Sequence, residues 1–487
     1  MRLECIMCST PYVFEEVSQF EIALTGGNSQ IPDLSQFFDT GDITVVRVPA
    51  RLDVLGGIAD YSGANVSEMT LECGVALGVQ IRNDRNIFIR TLGINANDLA
   101  PDYICSLDDF SDQANLWSYQ KIRAHFQKDY KTSWSAYIMG AIFVVLKEKI
   151  VHELKHGLNI ALISKVPIRV GIGSSATVEI ATLHALNSLL GFGLDGQQLS
   201  RLGQLTENKV VGAPCGIMDQ LTVTRGQSGA LMHILCQPDI IKENIAIPEN
   251  YEFVGINSKV HHNVTGSAYI DVRIGTFMGR KIISLMMQKQ GLLEPEQFLD
   301  YLCNLTPEQF ENHYRQVLPE SMTGQEFLDQ YGELGDTATT IDPETTYSIR
   351  SRTAHPIYEN DRVLKFIDLL KKASQEDNEA YMKQVGRLML ASHDSYHRNC
   401  ELSCPEVNQL VEMVKDSGKK YYLHGSKITG GGSGGTVAVV GKKKFMREAM
   451  EVVADKYFNQ FGLKPDIFRG SSPGALQYGN RKYRLYR

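Results

Sequence analysis

A short glycine- and serine-rich segment has the residue types and spacing that most clearly suit a chemical role. It reads VPIRVGIGSSATVE at 166–179, and a helical pattern begins near Ser175. Gly171 and Gly173 allow the backbone to turn its N–H groups inward, and a helix start offers unpaired donors that suit a phosphate group. The hydroxyls of Ser174 and Ser175 are oxygen ligands of the kind that Mg²⁺ prefers. A turn of this type is also commonly a plain helix cap, so these residues alone leave both interpretations open.

The elements around this segment would hold it in place. An apolar run of strand length precedes it at 158–164, and a broad apolar helical stripe follows it. A second glycine run, at 430–435, favours close approach to a ligand as much as a tight turn. Periodicity also predicts strands at 43–48, 74–81, 86–92, 230–235, 253–256 and 436–440, and helices at 134–151, 195–210, 266–287, 358–374, 378–393, 405–414 and 444–458.

Length and composition set the broad class of the protein. The chain has 487 residues, of which 43% are hydrophobic and 22% charged, and this fits two or three globular domains. The formal net charge is −7 and no basic stripe is present, so a nucleic-acid partner is not expected. No apolar run approaches the roughly 20 residues that span a bilayer, and the mixed N-terminus does not fit a signal peptide. We therefore expect a cytoplasmic protein with no membrane partner.

The nine cysteines are scattered and do not form a disulfide pattern. Cys5 and Cys8 make a single CxxC without a second half, which disfavours a zinc site there. Two histidines and two thiols have spacings that could form a tetrahedral zinc site: His393, His397, Cys400 and Cys404. The alternative is a helix end with ordinary buried thiols, and it is the more common arrangement.

Two regions, at the N-terminus and in the middle of the chain, differ from the rest in their sequence pattern. Residues 1–40 predict an irregular leader with a short amphipathic portion at 13–24. Residues 294–358 alternate short helical pieces, at 307–316 and 323–331, with polar and threonine-rich stretches. This middle region indicates an insertion or a small subdomain. The mixture of strands and helices throughout favours an α+β, two-domain fold.

Four ordered segments resemble one family. Their order and spacing are similar to those of the galactokinase branch of the GHMP small-molecule kinases. The segments are VPARLDVLGGIADYSG (48–63), VPIRVGIGSSATVE (166–179), GAPCGIMDQ (212–220) and TGGGSGG (429–435). A further segment, SHDSYHRNCELSCPE (392–406), resembles one that is structural and metal-free in galactokinases, which lowers the zinc hypothesis.

Other segments look like the kinase domain of L-arabinokinases, within the same branch. They include RLDVLGGIADYSG (51–63), VRIGTFMGRK (272–281), YLCNL (301–305) and TAHPIYEN (353–360). The 294–358 insertion therefore belongs to the arabinokinase-like pattern rather than being a separate module.

The resemblance implies phosphoryl transfer from ATP assisted by Mg²⁺. Asp219 matches the family's catalytic aspartate, which would accept or orient the proton of a sugar's anomeric hydroxyl. Arg51 matches the arginine beside it, which would keep that carboxylate ionised and counter developing charge. Ser175 and Glu207 match the magnesium positions. A second family arginine falls at His261 here, and a neutral histidine would weaken the positive field around the aspartate.

Nucleotide contacts are implied for two parts of the chain. The loop of Gly171, Gly173, Ser174 and Ser175 would hold the phosphates. Trp134 matches an aromatic-containing helix near the adenine pocket of galactokinases, as does Tyr137. Large apolar residues on a helix would equally suit a hydrophobic core.

Sugar contacts are implied for residues from both halves of the chain. Asp60 and Tyr269 match positions that contact the sugar ring in galactokinases. Gly216, Gly431 and Gly432 would let the backbone lie close to the substrates.

The sugar itself is suggested by one departure from the galactokinase pattern. That pattern has Glu-His, whose side chains face the hydroxymethyl end of galactose, where this chain has Gly57 and Ile58. L-Arabinopyranose has the ring stereochemistry of galactose but lacks the hydroxymethyl group. Against Ile58, a galactose 6-hydroxyl would lose hydrogen bonds to water, at a cost of roughly 1–3 kcal/mol. The sequence therefore favours L-arabinose.

The family implies an N-terminal domain like the second domain of ribosomal protein S5 (1–237) and a ferredoxin-like C-terminal domain (238–487), with the active site in the cleft between them. The expected reaction gives β-L-arabinose 1-phosphate and ADP. One alternative is a galactokinase, or another C1 sugar kinase, of relaxed specificity. A second is a non-catalytic sugar sensor, against which the intact set of Arg51, Ser175, Glu207 and Asp219 argues. The sequence predicts no oligomeric state.

Overall fold

A computed structural model describes residues 2–92, 99–112, 115–260, 267–376 and 378–486. The strands in these residues are β1 (Arg2–Cys8), β2 (Gly41–Leu55), β3 (Asn65–Ile81), β4 (Asn86–Leu92), β5 (Asp102–Ser106), β6 (Ser111–Asp112), β7 (Asn115–Leu116), β8 (Leu158–Ser164), β9 (Ala230–Leu235), β10 (Ile240–Ala246), β11 (Tyr251–Asn257), β12 (Ser321–Thr323), β13 (Thr346–Ser348), β14 (Leu423–Ile428), β15 (Thr436–Lys442), β16 (Asp466–Phe468) and β17 (Asn480–Tyr486). The α-helices are α1 (Glu15–Leu24), α2 (Tyr119–Phe126), α3 (Ala136–Lys147), α4 (Ser174–Leu190), α5 (Gly196–Leu205), α6 (Met218–Arg225), α7 (Ser267–Lys289), α8 (Pro307–Gln309), α9 (Gly324–Tyr331), α10 (Arg350–Glu376), α11 (Glu379–Ser395), α12 (Pro405–Tyr421), α13 (Lys443–Phe461) and α14 (Ala475–Tyr478). Within this described part of the chain, no helix is both long enough and apolar enough to cross a membrane.

The larger sheet has nine strands and carries most of the candidate site. Its main order is β1-β17-β2-β3-β8-β4-β5, and the hairpin β9–β10 joins it beside β3. Neighbouring strands are antiparallel except β4 and β8, which run parallel. The predicted strands at 86–92, 158–164 and 230–235 are confirmed at their bounds, because their apolar runs end at clear turn residues.

The amphipathic portion predicted at 13–24 is confirmed as α1, but the prediction that the rest of residues 1–40 is irregular was wrong for β1. Strand β1 pairs antiparallel with β17, and α1 buries Val17, Phe20 and Leu24 against the same sheet. The partner of β1 comes from the other end of the chain, and local sequence pattern carries no signal for so distant a pairing.

The smaller sheet has the order β14-β15-β11-β16 and is covered by α12 and α13. The chain first enters this sheet at β11, whereas residue 237 lies in the turn of the β9–β10 hairpin of the larger sheet. A boundary drawn by sheets would therefore fall between β10 and β11 rather than at 237. The last strand, β17, returns to the larger sheet.

The insertion at 294–358 builds a small core of its own against α7. That core includes Phe277 and Met278 from the helix and Phe310 and Phe327 from the insertion. Helices predicted at 307–316 and 323–331 appear as short pieces, α8 with a following π-helical turn, and α9.

Helix α10 starts eight residues before the predicted position, residue 358. Pro356 lies inside α10 and has no N–H to donate to the carbonyl of Arg352, an arrangement that usually ends a helix. The hydroxyl of Thr276 donates to that carbonyl instead, at 3.1 Å, so the helix continues through the proline.

Candidate active site

A cleft with about 950 Å³ of empty space, including its opening to solvent, lies between the two sheets and α7. It is lined by parts of the chain far apart in sequence. The predicted site residues that line it are Arg51, Ile58, Asp60, Gly171, Gly173, Ser174, Ser175, Glu207, Gly216, Asp219, Tyr269 and Gly431. The fold therefore brings most of the predicted residues to one place.

One end of the cleft is formed by the start of α4. Gly171 and Gly173 have φ values of 78° and 77°, which few residues other than glycine adopt. The helix begins at Ser174 and its cap residue, Gly173, provides no side chain to the first N–H groups. A helix start without a side-chain cap, lining a cleft, can bind an anion through these N–H groups, which fits the interpretation of an anion site.

The centre of the cleft holds an ion pair between Arg51 on β2 and Asp219 on α6. Arg51 Nε donates to Asp219 Oδ1 at 2.8 Å, and Nη2 donates to Oδ2 at 2.6 Å. Its third nitrogen, Nη1, donates to the carbonyl of Gly171 at 2.6 Å. The arginine side chain is 4% exposed, whereas that of Asp219 is 19% exposed and faces the cleft.

The arginine stays charged in this position. Burial alone lowers the pKa of Arg51, but the negative charges of Asp219 and Glu68 outweigh that effect and raise the pKa above its ordinary value. A bidentate guanidinium of this kind fixes the orientation of the aspartate and places a positive charge beside it.

Glu207 lies beside Ser175 at the same end of the cleft. It follows α5 in a π-helical turn at Thr206–Val211, and Gln220 Nε2 donates to its Oε2 at 2.9 Å. Burial, with the nearby charge of Asp219, raises the pKa of Glu207 to about 7. A carboxylate and a hydroxyl form an all-oxygen donor set, which fits Mg²⁺ with phosphate and water as its other ligands.

The opposite end of the cleft combines one carboxyl group with apolar and aromatic walls. Burial and the charge of Asp219 raise the pKa of Asp60 to about 7. Ile58 is 2% exposed and packs in the same cluster as Tyr269, whose hydroxyl donates to the carbonyl of Pro214 at 3.2 Å. A polyhydroxylated ring would meet both a hydrogen-bonding group and an apolar surface here.

Three predicted residues do not line the cleft. A Cβ on Gly57 would stand 1.8 Å from the hydroxyl oxygen of Tyr396, and one on Gly432 would stand 2.5 Å from the carbonyl oxygen of Leu402. Both glycines therefore point into packed structure. Trp134 donates its Nε1 to the carbonyl of Ala100 at 2.9 Å and packs on the main core. His261 lies outside the described residues.

Sequence reasoning missed Arg169 and gave Tyr137 only a secondary place, yet both line the cleft. Arg169 stands inside the glycine-rich segment itself. A positive charge two residues before Gly171 was the signal that could have identified it.

The two histidines of the possible zinc site have other contacts. His393 Nδ1 accepts from the backbone N–H of Ile428 at 3.4 Å, and His397 lies 2.8 Å from the hydroxyl of Ser403. Among the residues described, no group of three or more histidine, cysteine, aspartate or glutamate side chains could hold a metal ion.

Comparisons with known proteins agree on one family. The model of the GHMP kinases N terminal domain matches residues 136–227, and that of the GHMP kinases C terminal matches residues 378–459. The L-arabinokinase of Arabidopsis thaliana is 36% identical over 91% of this chain, and the chain spans about half of that relative, 47% of its length. The galactokinase of Mannheimia succiniciproducens is 25% identical, covering 87% of this chain and 91% of that protein.

The fold has a solved counterpart. The crystal structure of Lactococcus lactis galactokinase complexed with galactose matches with a TM-score of 0.69 and 21% identity, covering 92% of this chain and 97% of that one. The arrangement is therefore the GHMP kinase fold, with its N- and C-terminal domains. The chain belongs to the GHMP kinases, in the branch of the galactokinases.

Proposed function

We propose that the protein transfers the γ-phosphoryl group of ATP to the anomeric hydroxyl of L-arabinose, giving β-L-arabinose 1-phosphate and ADP. The observation that carries this proposal is the bidentate pair of Arg51 and Asp219, whose carboxylate opens onto the cleft at the start of α4. Phosphoryl transfer needs the phosphates held, charge neutralised and the attacking oxygen placed in line.

Asp219 is the proposed acceptor of the sugar's proton. Its carboxylate is fixed by two hydrogen bonds from Arg51 and keeps one face toward the cleft. An anomeric hydroxyl placed there can donate its proton as its oxygen attacks phosphorus. The guanidinium then stands beside the charge that develops on the transferred group.

The start of α4 is the proposed phosphate site. This helix start has no side-chain cap and lines the cleft, so its N–H groups and dipole suit a bound anion. Ser175 and Glu207 would hold Mg²⁺, which neutralises phosphate charge when bound. A bound cation would also favour the ionised form of Glu207, whose pKa is raised to about 7 without one.

Ile58 supports arabinose over galactose. It is buried to 2% exposure, lines the cleft and packs beside Tyr269, so a hydroxymethyl group there would meet an apolar wall. Gly57 drops out of this argument because it faces Tyr396 rather than the cleft. The identity of 36% to a plant L-arabinokinase points the same way.

The test is sugar-dependent release of ADP in the presence of Mg-ATP. L-Arabinose, D-galactose and D-fucose, which is galactose without its 6-hydroxyl, are compared by kcat/KM. We expect arabinose to exceed galactose by roughly 10- to 150-fold, with D-fucose between them, because only the hydroxyl group distinguishes the two hexoses.

The outcomes separate the alternatives. Turnover of galactose equal to that of arabinose would indicate a galactokinase-type enzyme of relaxed specificity and end the argument from Ile58. Binding of sugar and ATP without release of ADP would indicate a sensor.

A further inference from the structure

The insertion at 294–358 reaches the sugar end of the cleft through one buried ion pair. Arg273 on α7 donates Nε to Asp336 Oδ2 at 2.8 Å and Nη2 to Oδ1 at 2.9 Å. The two side chains are only 8% and 4% exposed. Asp336 also accepts from the hydroxyl of Thr339 at 2.6 Å and from the N–H of Ala338 at 3.2 Å. The carboxylate therefore has four donors and a fixed orientation.

The same guanidinium extends to the loop at 212–217. Its Nη1 donates to the carbonyl of Pro214 at 3.2 Å, and Tyr269 donates to that same carbonyl. The central carbon of the guanidinium, Cζ, lies 5.0 Å from the ring centre of Tyr61 and 5.1 Å from that of Phe277. Hydrogen bonds at its edges and aromatic rings beside it hold a planar guanidinium in one place.

The loop held in this way forms part of the sugar end. A Cβ on Gly216 would stand 1.8 Å from Asp60 Oδ2, so loop and carboxyl group are in close contact. Just before the loop, Lys209 donates its Nζ to the carbonyl of Thr337 at 3.2 Å. Residues 336–339 of the insertion thus contact the chain before the loop directly and the loop itself through Arg273.

We propose that Asp336 and Arg273 are positioning residues for the sugar: the insertion fixes the 212–217 loop, and with it Asp60 and Tyr269, in the arrangement that binds a pyranose. The inference rests on the proposed function, since it concerns the sugar end of the same cleft. The pair makes no hydrogen bond to the phosphate turn at 171–175 among the described residues. The loop also contacts Glu207, because the N–H groups of Gly212 and Ala213 donate to its backbone carbonyl at 2.8 and 3.1 Å, so we expect a larger effect on the sugar than on ATP.

The experiment compares Asp336→Asn with the wild-type chain in two measurements. In steady-state kinetics we expect the KM for sugar to rise about 10-fold or more, because small displacements of binding groups have effects of this size, and the KM for ATP to stay within about 2-fold. Hydrogen exchange without substrate should accelerate at the amides of 212–217 and remain unchanged in β8 and α4. Thr339→Ala, which removes one hydrogen bond to Asp336, is a milder variant and should shift both quantities less.

Glu320→Gln is the matched control. It breaks a more exposed ion pair within the same insertion, with Arg350 at 3.2 Å, and should change neither quantity. An equal rise in both KM values, or an unchanged sugar KM with unchanged loop exchange, would overturn the inference. Absence of turnover by the wild-type chain would instead count against the proposed function, because the exchange measurement needs no substrate.

Discussion

Two ion pairs start from the same face of β2, and they differ in what surrounds them. Arg51 pairs with Asp219, whose side chain is 19% exposed in the cleft. Two residues further along, Asp53 pairs with Lys427 of β14 at 2.6 Å, and both side chains are fully buried. Asp53 also accepts from the N–H groups of Gly430 and Gly57. The open pair is available to substrate, whereas the closed pair joins the two sheets.

The difference in exposure between the two pairs predicts that one affects catalysis and the other affects stability. A carboxylate that keeps one face toward a cleft can exchange protons with a ligand, so its loss should be felt in the rate. A charge that is completely enclosed has no access to a ligand, and removing its partner leaves it unsatisfied in the interior. Variants of the two pairs should therefore affect different quantities.

Asp219→Asn breaks the open pair and should have the largest effect. The amide keeps the shape and one acceptor for Arg51 but cannot take a proton, so we expect kcat to fall by about 10²- to 10⁴-fold. The thermal midpoint should change little, because Arg51 retains Glu68 at 3.5 Å. The assay is sugar-dependent release of ADP together with a thermal melt.

Asp42→Asn is the matched control for this variant, since it breaks an exposed pair with Arg484 by the same chemical change. Full activity of Asp219→Asn, with the control also active, would remove the aspartate from the mechanism and with it the central contrast between the two pairs.

Lys427→Met breaks the closed pair. It leaves the Asp53 carboxylate buried without its cation, so the free energy of unfolding should fall by about 3–5 kcal/mol. Adding Asp53→Asn removes the stranded charge and should recover part of the loss. Urea unfolding of the single and double variants measures both changes. A loss under about 1 kcal/mol, as for exposed pairs, would show that enclosure does not distinguish the two pairs.

Glu207 sharpens the comparison, because it is a buried carboxylate with no cation within ion-pair distance among the described residues. Burial and Asp219 raise its pKa to about 7, whereas an unfolded glutamate has a pKa of about 4.3. Between these values the folded chain binds more protons than the unfolded chain. The contribution of Glu207 to the free energy of unfolding therefore falls as pH rises through this range.

Glu207→Gln removes that dependence. Relative to the wild type in the absence of Mg²⁺, its free energy of unfolding should rise by about 1–3 kcal/mol between pH 5 and pH 8. Urea unfolding at several pH values measures the difference, with the exposed Glu448→Gln as control. A difference that is constant with pH would contradict the raised pKa.

The sequence predicted the residues of the open pair but not those of the closed pair. Arg51, Asp219, Ser175 and Glu207 were assigned because they match positions of the galactokinase branch, so they could be identified without a structure. Lys427 carries no such signal, because its role depends on the packing of one sheet against the other.

Side-chain direction was equally hidden from the sequence. Gly57 and Ile58 are neighbours in one motif, yet only Ile58 faces the cleft. Trp134 and Tyr137 lie near each other on a predicted helix, and only Tyr137 lines the cleft. The motifs predicted which segments form the site, whereas the direction of each side chain could be read only from the structure.

Arg169 is the converse of Glu207: a cation that lines the cleft without a carboxylate within ion-pair distance in the described part of the chain. Its φ is 59°, an unusual conformation outside glycine, and its guanidinium lies 5.7 Å from the ring centre of Tyr130. Strain of this kind often accompanies function. We expect the side chain to contact the phosphates of ATP.

Arg169→Ala should therefore raise the KM for ATP by about 10-fold. This is the lower end of the effect expected from losing a hydrogen bond between charged groups, because the side chain is exposed. The KM for sugar should stay unchanged, and Arg169→Lys should recover part of the affinity, since lysine keeps the charge but not the planar donor fork. Inhibition by inorganic tripolyphosphate should weaken in parallel, because that probe carries the phosphates without the nucleoside. Lys131→Ala removes a nearby exposed cation that does not line the cleft and serves as the control. Equal ATP affinity in the Arg169 and Lys131 variants would mean that the unpaired cation is a surface charge, and that only the paired arginine of the cleft serves the phosphates.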